Sequence, residues 1–301
     1  MAVMTAATAH RAADLPVIGL TVGDPSGVGP ELVAEVLCYP VEGVRLEVIG
    51  DPTPRAPGKP DREGALRAIS SLEEAAARAK SGELAAVVTG PVNKKQLHAA
   101  GFDFPGQTEF FAARAEVQNF AMLLTGGPLT VALVTAHVPL REVAGMLTAE
   151  EIIRVGGLLS DFLQRRGIAA PRIAVAGLNP HAGEEGDLGD EEGRLIAPAL
   201  PLLAASNPRS SFSGPYSPDT VFWRAANGEF DAVLCMYHDQ GLIPLKLLGF
   251  HDGVNVTLGL PFVRTSPDHG TAYEIAGTGK ASAESFRSAI RLAAELVRGK
   301  D

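Results

Sequence analysis

The chain has 301 residues, 46% of them hydrophobic, and carries a formal net charge of −9 at pH 7. That length suggests two domains with full cores, and the acidic balance argues against a nucleic-acid surface. No apolar run is long enough to span a bilayer, and the first dozen residues read as an Ala-rich tail, not a secretory signal. Cys38 and Cys235 are the two cysteines; set in or beside apolar segments, they read as reduced core thiols of a cytoplasmic protein.

Residues 17–22 read as a strand. Gly23-Asp-Pro-Ser-Gly-Val-Gly-Pro-Glu31 follows and feeds a helix over 31–38, with Pro30 placed to start it. Such a loop either cradles phosphate or is a tight strand-to-helix turn; the spacing matches neither G-x-G-x-x-G nor a Walker A loop, and both readings stay open. Residues 44–49 form the next strand and 51–64 a surface loop. Ser71 begins a helix over 72–80 with Glu73 and Glu74 in its first turn. A strand over 85–89 ends in Gly90-Pro-Val-Asn-Lys-Lys95, and Gly106 opens a helix to about residue 116. Then come a strand from Leu129, a helix over 148–166 with Thr148 and Glu151 as a capping box, and a strand from Arg172. An acidic, Gly-rich loop over 183–193 leads into another helix. Residues 214–220 form a rigid turn. A strand runs up to His238, another covers 253–258, a turn-rich loop covers 268–280, and the last helix runs over 282–297. Strands and helices alternate, so the fold class is α/β with a largely parallel core.

Three strand-like runs each end in a histidine, at His137, His181 and His238. In open α/β sheets ligands bind at the carboxyl ends of strands. Three neutral imidazoles suit a catalytic divalent metal, and Asp239 and Glu184 could fix their tautomers. The bland alternative is three capped or surface histidines. Lys246 and Arg264 interrupt apolar segments where a bare charge is costly. A substrate phosphate or carboxylate would pair them, and so would an internal carboxylate. The histidines alone also leave open a metal-dependent phosphoester hydrolase, and the α/β pattern an acyltransferase acting on phosphate.

The motifs together go further. Gly23-Asp-Pro-Ser-Gly-Val-Gly-Pro-Glu31, Thr89-Gly-Pro-Val-Asn-Lys94, Gly106-Gln-Thr-Glu-Phe-Phe111, Asn179-Pro-His-Ala-Gly-Glu184, Pro218-Asp-Thr220, Tyr237-His-Asp-Gln-Gly241 and Asn255-Val-Thr-Leu-Gly-Leu-Pro-Phe-Val-Arg-Thr-Ser266 resemble the 4-hydroxythreonine-4-phosphate dehydrogenase (PdxA) family, in order, over about residues 17–297. The resemblance implies a two-domain fold like the isocitrate and isopropylmalate dehydrogenases, with mixed, largely parallel sheets. It implies a cofactor-side domain of residues 1–105 with 266–301, and a metal, substrate and dimerisation domain of 106–265. It implies a homodimer with the active site at the subunit interface, and zinc, magnesium or cobalt on His137, His181 and His238, the last contributed by the partner. The catalytic set is then His137, His181, His238, Asp239 and Lys246. Gln107, Thr108, Asp219, Lys246, Asn255 and Arg264 match the family's substrate contacts. His269, Gly270, Thr271 and Ala272 resemble the adenine-side loop that binds NAD or NADP. The activity implied is oxidation and decarboxylation of 4-phosphooxy-L-threonine to 3-amino-2-oxopropyl phosphate, on the route to pyridoxal phosphate, with a paralogue acting on 4-phosphorylated threonate or erythronate as the alternative. One departure stands out: the family usually carries His where this chain has Gln107, and Gln cannot be protonated near neutrality.

Overall fold

The computed structural model describes residues 15–299, so the reading of the first dozen residues as a tail lies outside it. The chain divides into two compact units, Met1–Glu116 with Leu260–Asp301, and Val117–Gly259. The breaks fall after 116 and 259 instead of 105 and 265, so Gln107, Thr108 and Arg264 pack in the first unit.

In the first unit four parallel strands lie in the order β2 (Arg45–Ile49), β1 (Val17–Thr21), β3 (Ala86–Thr89), β10 (Val263–Pro267). Ile18, Leu20, Val87 and Val88 are buried, as expected of parallel strands covered on both faces. Helices α1 (Gly29–Leu37), α2 (Arg62–Lys80), α3 (Lys94–Ala99), α4 (Gln107–Arg114) and α10 (Glu284–Arg298) complete the unit. Phe286, Ala289, Ile290 and Ala293 make the buried stripe of α10, spaced as one helical face requires. Helix α2 starts well before the expected Ser71. Asp61 is its N-cap, accepting from Gly64 N at 2.8 Å, and the Ser71 hydroxyl lies mid-helix, donating to Arg67 O. Ala65, Ala68, Leu72, Ala75, Ala76 and Ala79 form one continuous buried stripe, so packing carries the helix through what looked like a cap. Residues 263–267, assigned no element from the sequence, form strand β10 beside β3.

The second unit has the order β9 (Val254–Leu258), β4 (Ala121–Gly126), β5 (Leu129–Leu133), β8 (Ala232–Cys235), β6 (Arg172–Ala176), β7 (Ser211–Tyr216). The first three are antiparallel and the rest parallel, so the sheet is mixed. Strand β4 was not expected; it forms a hairpin with β5 through Gly127 and Pro128. The helices are α5 (Leu140–Met146), α6 (Ala149–Arg165), α7 (Ala197–Ser206), α8 (Pro218–Ala226) and α9 (His238–Leu248). Helices α3, α5, α8 and α9 were not expected. Thr148 caps α6 as expected, accepting from Glu151 N at 3.2 Å. Residues 214–216 belong to β7, through a cis Gly214–Pro215 bond, so the expected turn is shorter. Leu124, Val131, Leu133, Ala174, Val221, Val233, Cys235 and Leu245 share the core. Cys235 is buried, but Cys38 is exposed, correcting its reading as a core thiol: it is the C-cap of α1.

Candidate active site

Strands β5 and β8 are parallel neighbours, with Leu133 opposite Cys235. Past their ends they stay tied. Val134 N donates to Cys235 O at 2.9 Å, and Thr135 donates to Met236 O through its N–H at 3.1 Å and its hydroxyl at 2.8 Å. The two chains leave the sheet together, and the His137 and His238 ring centroids stand 5.7 Å apart. Both rings line one cavity with Leu140, Val143, Tyr237 and Asp239. His238 is the first residue of α9, so the polar group Tyr237 to Gln240 is the join between a buried strand and a helix.

The neighbouring strand β6 leads to His181. Gln240, 6% exposed, links the two ends: its Oε1 accepts from Met236 N at 2.7 Å and its Nε2 donates to Gly177 O at 2.6 Å. In the sequence, Gln240 carries no assigned role; its signal is an amide just past the end of an apolar strand, where free backbone groups need partners. After Asn179 the backbone makes a left-handed turn, with φ of 52° at His181, 55° at Ala182, 82° at Gly183, 42° at Glu184 and 58° at Glu185. Each non-glycine residue there costs about 1–2 kcal/mol, and such geometry persists only where its surroundings enforce it.

His181 Nδ1 lies 3.1 Å from Glu184 Oε2, and His238 Nδ1 lies 2.7 Å from Asp239 Oδ1. An ionised carboxylate only accepts, so both contacts put the ring proton on Nδ1 and leave the Nε2 lone pair available. Paired imidazoles oriented by carboxylates are a donor set that fits a borderline divalent cation. Among the described residues no three His, Cys, Asp or Glu side chains are grouped to hold a metal, so His137 and His238 are brought together and His181 does not complete a trio within the chain. Burial, with smaller contributions from Cys235 and Asp239, raises the Tyr237 phenol above its ordinary range.

The six candidate substrate residues fall in both units. In the second, Asp219 is exposed on the first turn of α8 and accepts from the Ser217 hydroxyl at 2.5 Å. Lys246 lies half-buried on the last turn of α9. Asn255 is on β9, and its Oδ1 is buried with no hydrogen-bond partner among the described residues. In the first unit Arg264 is 3% exposed on β10. Its Nη2 donates to Thr89 Oγ1 at 2.7 Å and Gln107 Oε1 at 2.8 Å, and the guanidinium lies 5.8 Å from the Phe111 ring centroid. Burial lowers the Arg264 pKa to about 10, opposed by the nearby Glu109 charge, so it remains a cation at neutral pH. Gln107 also donates from Nε2 to Gly90 O at 3.2 Å. One neutral amide thus accepts from Arg264 and donates to the backbone, and a neutral imidazole has the same pair of functions. Thr108 is buried beside it at the start of α4, and Thr89 joins the group unannounced by the sequence reading.

The loop carrying His269, Gly270, Thr271 and Ala272 packs on the Gly23–Gly29 loop. Val28 N donates to Thr271 O at 3.0 Å, Asp24 N to Pro91 O at 2.9 Å, Gly27 N to Asp24 O, and Ser26 N to Asp24 Oδ1. A Cβ on Gly29 would lie 1.9 Å from Val22 O. With these amides engaged inside the chain, the loop is a tight turn packed around its own backbone, and the phosphate-cradle alternative loses its donors. Tyr273 OH donates to Asp24 Oδ2 at 2.5 Å; burial first, and that bond second, push its phenol up to about 12.

Comparison with known proteins agrees with this arrangement. The family described as Pyridoxal phosphate biosynthetic protein PdxA matches residues 11–293. A 4-hydroxythreonine-4-phosphate dehydrogenase from Desulfosudis oleivorans is 45% identical, over 92% of this chain and 95% of its own. A D-threonate 4-phosphate dehydrogenase from Salmonella typhimurium is 39% identical over 93% and 98%. The crystal structure of 4-hydroxythreonine-4-phosphate dehydrogenase from Klebsiella pneumoniae superposes with a TM-score of 0.78 at 39% identity, covering 94% of this chain and 99% of that one. The fold class is the α/β class of the isocitrate and isopropylmalate dehydrogenases. Motifs in order, histidines at the ends of neighbouring strands and a match along nearly the whole chain converge: the chain belongs to the PdxA family.

Proposed function

We propose that this protein is an NAD(P)- and divalent-metal-dependent dehydrogenase that oxidises and decarboxylates 4-phosphooxy-L-threonine to 3-amino-2-oxopropyl phosphate, in pyridoxal phosphate biosynthesis. The observation that carries the reading is the match along nearly the whole chain, 45% identical to a relative so named, with His137, His181 and His238 following three neighbouring parallel strands. Relatives named as dehydrogenases, matching along nearly the whole chain, favour oxidoreductase chemistry over the hydrolase and acyltransferase readings.

His137, His181 and His238 would hold the metal, one of them supplied by a second copy, which the family resemblance gives as His238. When bound, a divalent cation supplies Lewis-acid polarisation of substrate oxygens, and the nicotinamide accepts the hydride. The chain's own residues orient the substrate. Asp239 and Glu184 accept from Nδ1–H, so that in the neutral rings of His238 and His181 Nε2 carries the lone pair. Arg264, held by Thr89 and Gln107, offers a fixed cationic fork to the phosphate, with Thr108 beside it; Lys246 matches a substrate contact of the family. Asn255 brings a buried acceptor that has no partner of its own, and Asp219 a carboxylate. His269, Gly270, Thr271 and Ala272 would meet the adenine side of NAD or NADP. A homodimer is supported by the apolar face of α9: Ile243, Leu247 and Phe250 are exposed on the same helix face and its extension, beyond His238. No helix of the described residues is long and apolar enough to cross a membrane; with both cysteines free, the cytoplasm is the compartment proposed.

The test is a comparison of kcat/KM for 4-phosphooxy-L-threonine and 4-phospho-D-threonate, paired with rescue of a pyridoxine auxotroph. Preference for the amino acid with rescue is expected. Preference for the hydroxy acid without rescue would assign the protein to sugar-acid catabolism.

A further inference from the structure

We infer that Glu192 is a positioning residue for His181: its buried carboxylate shapes the left-handed turn that presents this imidazole. The inference rests on the proposed metal role of His181.

Glu192 is 5% exposed at the start of the short π-helix Glu192–Ile196. Its Oε1 accepts from Leu178 N and from Asn179 N, both at 2.7 Å, and its Oε2 accepts from Asn179 Nδ2 at 3.0 Å. These donors lie on the segment between β6 and His181. The turn then closes over the same carboxylate. A Cβ on Gly183 would lie 2.7 Å from Glu192 Oε2, and one on Gly177 would lie 3.0 Å from Oε1. The loop from 177 to 183 is therefore wrapped around one buried acid, and within it His181 and Ala182 hold φ values that side chains ordinarily avoid. Gln240 ties Gly177 to the β8 end that carries His238, so the segment Glu192 organises is the one facing the other imidazoles' strands.

The donor and acceptor pattern requires a carboxylate here. Asn179 Nδ2 donates to both Glu192 and Glu191, the latter at 2.7 Å. In a Glu192→Gln protein, Oε1 could still accept from the two backbone N–H groups, but Nε2 would then face Asn179 Nδ2, donor against donor. Turning the Asn179 amide over would relieve that contact and set its Oδ1 against the Glu191 carboxylate, acceptor against acceptor. Neither orientation satisfies every group, so the turn must move, and His181 with it.

The experiment is titration of metal-free protein with Co(II), following the visible d–d spectrum and the dissociation constant alongside the thermal midpoint. Glu192→Gln is expected to weaken cobalt binding on the order of tenfold or more and to alter the band intensities, as loss of a ligand-orienting contact does. Asn179→Ala, which removes the side-chain donor and keeps the carboxylate, is expected to do the same more mildly, and is the variant read if Glu192→Gln does not fold. Ser160→Ala breaks a buried Ser160–Ser210 hydroxyl contact of 2.7 Å elsewhere in the unit, and should lower the thermal midpoint without moving the cobalt spectrum. Unchanged cobalt affinity and spectrum in folded Glu192→Gln, or in Asn179→Ala where that variant is read, would overturn the inference while the metal site stands. A wild-type protein that takes up no cobalt would overturn the metal site itself, and this inference with it.

Discussion

Arg264 shows how a single residue's chemistry was legible while its setting was not. The sequence placed a cation among apolar residues, and the alternatives were a substrate anion or an internal carboxylate. The structure sets two neutral groups, Thr89 and Gln107, on one end of the fork, and the internal carboxylate of Glu109 lends it a stabilising charge from nearby. The long-range partners Thr89 and Gln107 lie far away in the chain, so no local pattern could reveal them. Arg264→Lys keeps the charge and loses the fork; the KM for the phosphorylated substrate should rise at least several-fold with a smaller change in kcat. An unchanged KM would remove Arg264 from the phosphate. Gln107→His tests the departure from the family. A neutral imidazole can accept from Arg264 and donate to Gly90 O, whereas an imidazolium cannot accept. KM should therefore match wild type above neutrality and rise as pH falls toward 6, close to the ordinary histidine pKa.

Among the elements, those with a continuous apolar stripe or a cap at the right place were readable: α1, α6, α10 and most strands. Helix α9 was hidden because Gly241 and Pro244 interrupt it, yet tertiary packing overrides both. Gly241 sits where a Cβ would come 3.0 Å from Cys235 Sγ, so the glycine permits the close approach that sets His238 over the sheet. Helix α2 was truncated in the reading because Ser71 imitates a cap. Its real cap, Asp61, has its carboxyl held down to about 2, first by the Arg55 guanidinium and then by Gly64 N. A carboxyl depressed from the ordinary value of about 3.9 contributes fully above that value and loses its contribution as pH falls toward about 2. Asp61→Asn should lower the thermal midpoint at neutral pH, and the difference from wild type should close on acidification. A difference that persists unchanged at pH 2 would mean that the charge is not what matters.

For the molecule as a whole, the class of fold and the order of its motifs could be read from the chain, because each motif sits at a strand or helix end. Whether any histidine crosses to a second copy could not, since that depends on a surface and not on a spacing. The exposed α9 face offers the test: Leu247, 81% exposed, replaced by Glu should shift the protein from dimer to monomer in sedimentation and abolish turnover. A Leu247→Glu protein that stays dimeric and active would show that this face is not the contact. Mixing inactive single-site variants under subunit exchange then identifies the shared ligand. If His238 comes from the partner, His137→Ala with His238→Ala should recover roughly a quarter of wild-type sites by two-fold counting, and His137→Ala with His181→Ala none. The reverse outcome would make His181 the shared ligand and leave the His137–His238 pair within one chain.

The proposed reaction is a coupled oxidation and decarboxylation of a phosphorylated four-carbon acid. Metal-replete protein, 4-phosphooxy-L-threonine labelled at the carboxyl carbon, and NAD or NADP should yield reduced nicotinamide and labelled carbon dioxide in equal amounts, with both lost on chelation and restored by a divalent cation. Reduced cofactor without carbon dioxide, or phosphate release without either, would contradict it.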